Sequence, residues 1–593
     1  MELPGKKRNI EKRRWQWLLS IELTTLLFLL TFATTPIIFS TNDDVRILYT
    51  LAGYNTGSPY SLQPFINSFL GKAISLLYEW FPRLPWYGIF HIACLFIGVT
   101  VVGKCLLKNA AKKQLHLLVP LFLQTFLFYA CYIFIIVGIQ FSTTPALLGS
   151  AAVALMLCID RENDSKADIC IDIALSLVFL LVCMMTRSFT WYCIMCFYAL
   201  ATFYQFLRTF PSEKKKSGKW RSLLAGCLII ALISGFGIRQ LSLYLKDKIE
   251  HNPGFEEYNE YRVDFQDYKM RPAFDDNPEL YAQIGWSRNT YSSLAGALLY
   301  FDRNMNAEDL KVITETYASS VTSVRTWQDT WTTATAVLKN YDAAICALAT
   351  LFVLSLMCLF AAIGNKKCWK AALCALFAFL GYLIMYLYLS YRGRFLIRIF
   401  TTITVPACTY MALALTQLLD RQKLKKFSGI FLSVIFSLVI LALCVFNIRT
   451  IYFTDEYTKT QTKTTATLEQ FQQFEEYAIE NIENVYVYDF TAATVHRDPF
   501  VVYPEGKPYN CIISGGSYTF STVYDLQLAA NGLGSLYWED FLRDNVYYVS
   551  ADMNFVNKMI AGITEATQRS IGYSEVASFA DDGIKIYKFY IAG

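Results

Sequence analysis

The sequence predicts an α-helical polytopic membrane protein with interfacial helices and a small α/β domain at its C-terminal end. Three observations carry that prediction. Hydrophobic residues make up 54% of the chain and charged residues only 17%, where soluble proteins carry about a quarter charged residues. Apolar runs of roughly 20 residues, each long enough for a hydrocarbon core of about 30 Å, recur as far as residue 447. Beyond that point the pattern changes to short alternating and helix-periodic segments.

Residues Lys6, Lys7, Arg8, Lys12, Arg13 and Arg14 precede the first apolar run, 17–39. That run is longer than a signal-peptide core and lacks a small-residue cleavage site, so it reads as a retained span. Further spans are expected at 86–107, 115–139, 142–159, 168–186, 189–207, 221–245, 342–363, 369–390, 396–418 and 428–447, about 11 in all. Lys and Arg then fix the orientation. Clusters such as Lys104, Lys108, Lys112 and Lys113, or Arg421, Lys423, Lys425 and Lys426, fall on the same side as the N-terminus. The opposite connections carry few basic residues, which predicts N-terminus inside and C-terminus outside. The expected domains are a transmembrane domain, 1–447, with outer loops 40–85 and 246–341, and an extracytoplasmic α/β domain, 448–593.

The first outer loop reads as folded. Between Ser61 and Phe81, Phe65, Phe69, Leu76, Leu77 and Trp80 recur at helical spacing, as in a helix lying in the membrane interface. The second outer segment, 246–341, holds 15 acidic against 10 basic residues, and residues 449–593 hold 19 against 10. An acidic outer surface argues against nucleic acid as a partner. In the last part, Leu468 to Ile479 and Phe555 to Ala566 are helix-periodic, while Asn484–Asp489, the stretch ending at Ser550, and Ile584–Tyr590 alternate as strands do.

Fifteen of the sixteen cysteines lie in or beside apolar spans, the exception being Cys511. Cys193-Ile-Met-Cys196 has no second pair at zinc spacing, so the cysteines read as packing residues and no disulfide is expected. The chain has no Walker A pattern, no dinucleotide-binding glycine fingerprint, no GxSxG and no HExxH. Four histidines leave little for a His-based metal or triad site. No metal ligands and no cofactor are assigned.

What remains is acid and arginine at the outer membrane face. Asn42-Asp43-Asp44 follows directly on the first span, and a carboxylate beside hydrocarbon is costly unless solvated or paired. Arg187 sits at a span end, and Arg392-Gly-Arg394 with Arg398 where one span emerges and the next begins. Arginine on the outer side runs against the charge bias, and a phosphate at headgroup level would account for it, since guanidinium binds phosphate bidentately. Asp275-Asp276 reads as a solvated turn before Asn277-Pro278. Trp286, Tyr291, Trp327 and Trp331 are candidates for stacking on sugar rings or for packing at the membrane surface.

Asn42-Asp-Asp44, Thr56-Gly-Ser-Pro59, Phe65-Ile-Asn67 and Pro85-Trp-Tyr87, together with the topology of the whole chain, resemble the GT-C superfamily of integral-membrane glycosyltransferases, in uncharacterised bacterial form. The resemblance implies a polyprenyl-phosphate-linked sugar as donor, a cell-envelope glycan or protein as acceptor, and a site on the outer face of the cytoplasmic membrane. It places the acidic motif on Asp43 and Asp44, either of which would be the base, with Asp43 preferred; Asn42, Asn67 and Trp286 are candidate substrate-loop positions. Arg187, Arg392 and Arg394 would hold the lipid phosphate. Some members of the family use a divalent metal. An inverting transfer needs one base to take the acceptor's proton and a group to stabilise the departing phosphate.

Two other readings belong to different classes. A transporter or flippase of lipid-linked saccharide predicts charges deep in the spans and paired broken helices, whereas the charges here sit near span ends. A non-catalytic scaffold presenting the C-terminal domain predicts no binding of a polyprenyl-phosphate sugar.

Overall fold

The computed structural model describes residues 5–210, 215–249, 254–297, 299–320, 326–364, 368–393, 395–419, 467–493, 498–503, 509–580 and 583–593. Eight of its helices are long and apolar enough to cross a membrane. They lie in α1 (Gly5–Thr34), α4 (Trp86–Lys112), α5 (Leu118–Val137), α7 (Lys166–Thr186), α9 (Lys215–Ile249), α15 (Asp342–Gly364), α16 (Trp369–Tyr391) and α17 (Ile397–Leu418). The chain is therefore a multi-pass helical membrane protein. Two further expected spans are also helices: α6 (Thr144–Leu157) and α8 (Ser188–Leu207). The expected span 428–447 lies outside the described residues.

The span expected at 142–159 is corrected by its length. At 1.5 Å per residue, the 14 residues of α6 reach only about 21 Å. All of them are buried, because α6 runs through the middle of the bundle against α4, α7, α8 and α17. A central helix has no lipid-facing stripe, so it is apolar all round. The first span also stops earlier than expected, at Thr34, and residues 38–39 form strand β1.

β1 (Ile38–Phe39) pairs in parallel with β2 (Gly138–Ile139) at the end of α5, and the Ser40 N–H donates to the Ile139 carbonyl at 2.9 Å. The first outer loop is thereby anchored to the bundle. It continues as α2 (Asn42–Ala52) and α3 (Ser68–Trp80). α3 buries Leu70, Ile74 and Tyr78 and exposes Phe69 and Trp80. Phe69 and Trp80 point away from the bundle, while Leu70, Ile74 and Tyr78 face inward, and α3 packs on α4, α7 and α9.

The second outer segment folds into α10 (Phe255–Arg262), α11 (Pro278–Gln283), α12 (Arg288–Ala297), α13 (Ala307–Ser320) and α14 (Trp327–Asn340). Its own core includes Tyr258, Phe265, Tyr281, Trp286, Leu294 and Leu310. Asp275 forms the expected exposed turn and pairs with Arg288.

The C-terminal part is an α/β unit with a five-stranded mixed sheet, built from α18 (Leu468–Glu480), β3 (Val485–Tyr488), β4 (Cys511–Ile513), α19 (Thr522–Ala530), β5 (Val546–Ser550), α20 (Met553–Thr567), β6 (Ile571–Ser578) and β7 (Lys585–Ile591). The strand order is β4-β3-β5-β7-β6, with the first three parallel and the last two antiparallel. This unit rests on both outer segments. The Tyr509 N–H donates to the Tyr54 carbonyl at 2.7 Å, and the Trp538 N–H to that of Phe301 at 3.1 Å. First loop, second segment and C-terminal unit therefore share one end of the bundle. Cys511 is a buried thiol within β4, and all described cysteines are free.

Candidate functional site at the N-terminus of α2

Thr41, in extended conformation, starts α2, and Asn42, Asp43 and Asp44 form its first turn. Acidic residues favour that position because the helix dipole is positive there. The two carboxylates then part. Asp44 is fully buried and receives three hydrogen bonds: from the Thr41 hydroxyl at 2.7 Å, the Tyr87 hydroxyl at 3.1 Å and the Phe141 N–H at 2.8 Å. Burial pushes its carboxyl up to about 7; the charge of Asp43 adds to the rise, and the three donors oppose it. Asp43, on the adjoining face, keeps 32% of its side-chain surface exposed and lies 3.7 Å from the guanidinium of Arg398, in the first turn of α17.

Phe141 is the junction of the site. Its N–H holds Asp44, the Arg187 guanidinium stands 5.0 Å from the centre of its ring, and the Phe65 ring packs on it at 5.3 Å. The next residue, Ser142, accepts hydrogen bonds from Thr190 of α8 at 2.8 Å and Thr402 of α17 at 3.4 Å. Arg187 is the extended residue joining α7 to α8. The structure thus brings Asp43, Asp44, Arg187 and Arg398 to one end of the bundle, where α2, α8 and α17 meet.

Arg46, one turn along α2 from Asp43, faces the C-terminal unit. It donates to the Gly515 carbonyl at 3.3 Å and lies 5.2 Å over the Tyr518 ring. Tyr518 in turn donates to Gln63 at 2.6 Å. Gly515 and Gly516 follow β4, so the carboxyl edge of the parallel strands, where ligands sit in open α/β sheets, is turned towards α2. Gly516 has φ +96°, and a Cβ there would stand 2.9 Å from the Arg46 guanidinium, so close approach and backbone conformation both call for glycine.

The other expected site residues have defined places. Asn42 lines a water-sized cavity of about 30 Å³ between α2 and the C-terminal unit. Asn67 caps α3, accepting from the Phe69 N–H at 3.0 Å, and donates to the Ile238 carbonyl of α9 at 3.2 Å. Trp286 lies in the core of the second outer segment, its indole N–H bonded to the Asn304 carbonyl and the Asp309 carboxylate, both at 3.2 Å. Its ring is buried among protein groups, so the expected sugar-facing position becomes a packing one. Arg392 is exposed at the end of α16, in the turn that leads to Arg398, and Arg394 lies outside the described residues. Arg46, Tyr87 and Phe141 were not legible as site residues. Thr41-x-x-Asp44, a helix-start pattern, was the signal for α2.

Among the described residues no three His, Cys, Asp or Glu side chains converge on a common point. Asp44 is fully buried and already accepts three hydrogen bonds, so only Asp43 of the two acids is open to a ligand, and a single carboxylate does not fit a divalent-metal site.

The fold and this site define a multi-pass helical membrane protein with an acid–arginine cluster beneath an α/β unit. No family profile and no curated protein matches the chain. Among solved structures it is similar to ArnT from Cupriavidus metallidurans in the apo state, at 11% identity and TM-score 0.39, and to the same protein bound to undecaprenyl phosphate, at 11% and 0.38. Each comparison covers 96% of this chain and 97% of the other.

Proposed function

We propose that the chain is an inverting, GT-C-like glycosyltransferase that moves a sugar from a polyprenyl-phosphate donor to a cell-envelope acceptor on the outer face of a bacterial cytoplasmic membrane. The observation that carries this reading is the approach of Arg398 to Asp43, with Arg187 near by over Phe141. Asp43 acts as base and takes the proton of the acceptor hydroxyl or amide as its oxygen or nitrogen attacks the anomeric carbon. The bond from that carbon to the donor phosphate oxygen breaks, and the polyprenyl phosphate leaves with the electron pair. Arg398 and Arg187 stabilise the charge that develops on the leaving phosphate, with Arg392 supplying a further guanidinium at the turn before α17. Asp44 is a positioning residue that fixes the first turn of α2 through Thr41, Tyr87 and Phe141. The distribution of Lys and Arg supports placing this end of the bundle outside.

The test is transfer from a polyprenyl-phosphate sugar by the purified protein in lipid vesicles, with and without acceptor. Turnover that requires acceptor and is lost in Asp43→Asn supports the reading. Full turnover in Asp43→Asn removes Asp43 from the chemistry, and acceptor-independent movement of intact donor across the bilayer identifies a transporter instead.

A further inference from the structure

A cavity of about 520 Å³ lies at the opposite end of the bundle from Asp43, between the start of α1, the last turns of α4 and α8, and the start of α16. Its volume falls in the range of small-molecule sites. The charges around it divide into two groups. On one side Arg13, Lys104 and Lys108 face Asp164, Asp168 and Asp172. Lys104 and Asp172, 1% and 2% exposed, pair at 3.0 Å, Lys108 pairs with Asp164 at 2.5 Å, and Arg13 pairs with Asp168. Three cations against three acids leave this side neutral, and it is closed further by the Trp17 ring, 5.3 Å from Lys104.

The other side is not balanced. Lys112, Lys113, Arg208 and Lys370 gather around one acid, Asp160, which Lys112 meets at 2.8 Å and Arg208 at 3.5 Å. Lys113 donates to the Cys368 thiol at 3.4 Å, and Lys370 to the Phe210 carbonyl. No carboxylate among the described residues meets either of them. Four cations against one acid leave an excess of three positive charges on a concave wall. A membrane protein's inside bias is satisfied by lysines spread through solvated loops. It does not require four cations from three separate helix ends to converge on one hollow.

We infer that this wall binds a phosphate-bearing anion, on the opposite face from the acid–arginine site. Ammonium groups act as point charges for phosphate oxygens, and the Arg208 guanidinium adds a directional fork. The phosphate can come from an anionic lipid headgroup, since the cavity is lined by the ends of membrane-spanning helices α4 and α16, or from a soluble phosphate compound.

Full-length protein in neutral detergent would be titrated with inorganic phosphate at constant ionic strength, following thermal unfolding. In parallel it would be placed in nanodiscs of phosphatidylcholine alone or with phosphatidylglycerol. Wild type, the double variant Lys112→Gln/Lys113→Gln, the single variant Lys370→Gln and a control, Lys72→Gln on the exposed face of α3, would be compared. Stabilisation by phosphate identifies a soluble source, and stabilisation by phosphatidylglycerol alone a lipid source. In either case the apparent dissociation constant is expected to rise roughly tenfold or more in the cavity variants, because each loses charge-assisted hydrogen bonds, and to stay unchanged in the control. Absence of stabilisation by both ligands in wild type, or an equal response in wild type and both cavity variants, overturns the inference. Lys370→Gln carries the comparison if the double variant does not fold.

Discussion

Arg398, in the first turn of α17, stands 3.7 Å from Asp43, in the first turn of α2. Each residue sits at the start of a helix, and the two helices are far apart in the chain, Asn42–Ala52 and Ile397–Leu418. A guanidinium shared between a carboxylate and an incoming phosphate would couple donor binding to release of the base, because a phosphate that engages Arg398 competes for the partner of Asp43.

Replacement of Asp43 by Asn is expected to lower turnover by about 10² to 10⁴-fold, the usual contribution of a general base, with little effect on stability at this part-exposed position. Arg398→Gln should instead raise the concentration of donor needed for half-maximal rate. Steady-state transfer kinetics on both variants check this, and a loss of folding in Asp43→Asn would contradict the assignment.

Asp44 should govern stability and its pH dependence. Its carboxyl is raised to about 7 in the folded protein from an ordinary 3.8, so the fold holds a proton that the unfolded chain releases. Stability is then highest below about pH 4, falls as pH rises towards 7, and levels off above it, a change on the order of 4 kcal/mol for a shift of this size. Asp44→Asn should flatten this window, and Asp44→Ala should cost on the order of 3 kcal/mol by orphaning buried donors. Thermal unfolding of the three proteins between pH 4 and 8 measures both effects.

Gly516→Ala should loosen the contact between the C-terminal unit and α2. A Cβ at that position meets Arg46 at 2.9 Å on a backbone with φ +96°, a conformation costing on the order of 1–3 kcal/mol for a non-glycine residue. The expected result is faster proteolytic release of the C-terminal unit, with the spans intact on gels. An unchanged cleavage rate would mean that the loop after β4 shifts freely.

Asn67 and Trp286 separate structural from substrate roles. Asn67→Ser retains an oxygen able to cap α3 and should cost less than Asn67→Ala, for which about 1 kcal/mol is typical of a lost cap. Trp286→Phe should lower stability by about 1 kcal/mol through the lost indole hydrogen bonds and leave the half-saturating concentrations of donor and acceptor unchanged. A selective rise in either concentration would return that residue to the substrate path.

Much of the architecture could be read from local pattern. The spans around 86–107, 168–186 and 369–390 became helices near those bounds, the strand Val485–Tyr488 fell within its alternating segment, and Lys585–Ile591 ran one residue past its own. β4, with three residues, is too short to show a period. β6 exposes much of its length and so lacks the buried alternation that marks a strand. In α3 the periodicity marked a helix, but lipid and protein interior both accept apolar side chains, so it took the packing to show that Leu70, Ile74 and Tyr78 are the inward residues.

The sequence by itself determined that this is a multi-pass helical chain, because the free energy of placing a residue in hydrocarbon is local and sums along a run of about 20 residues. It also placed two acids directly after the first span. Only the tertiary structure separated their roles. Asp44 was drawn inward by Tyr87 and Phe141, and Asp43 was left at the surface beside Arg398. Those partners are distant in the chain, and which of two adjacent carboxylates is buried depends on how α2 docks against α4 and the segment after β2. That docking is a property of packing, which no single stretch of sequence contains.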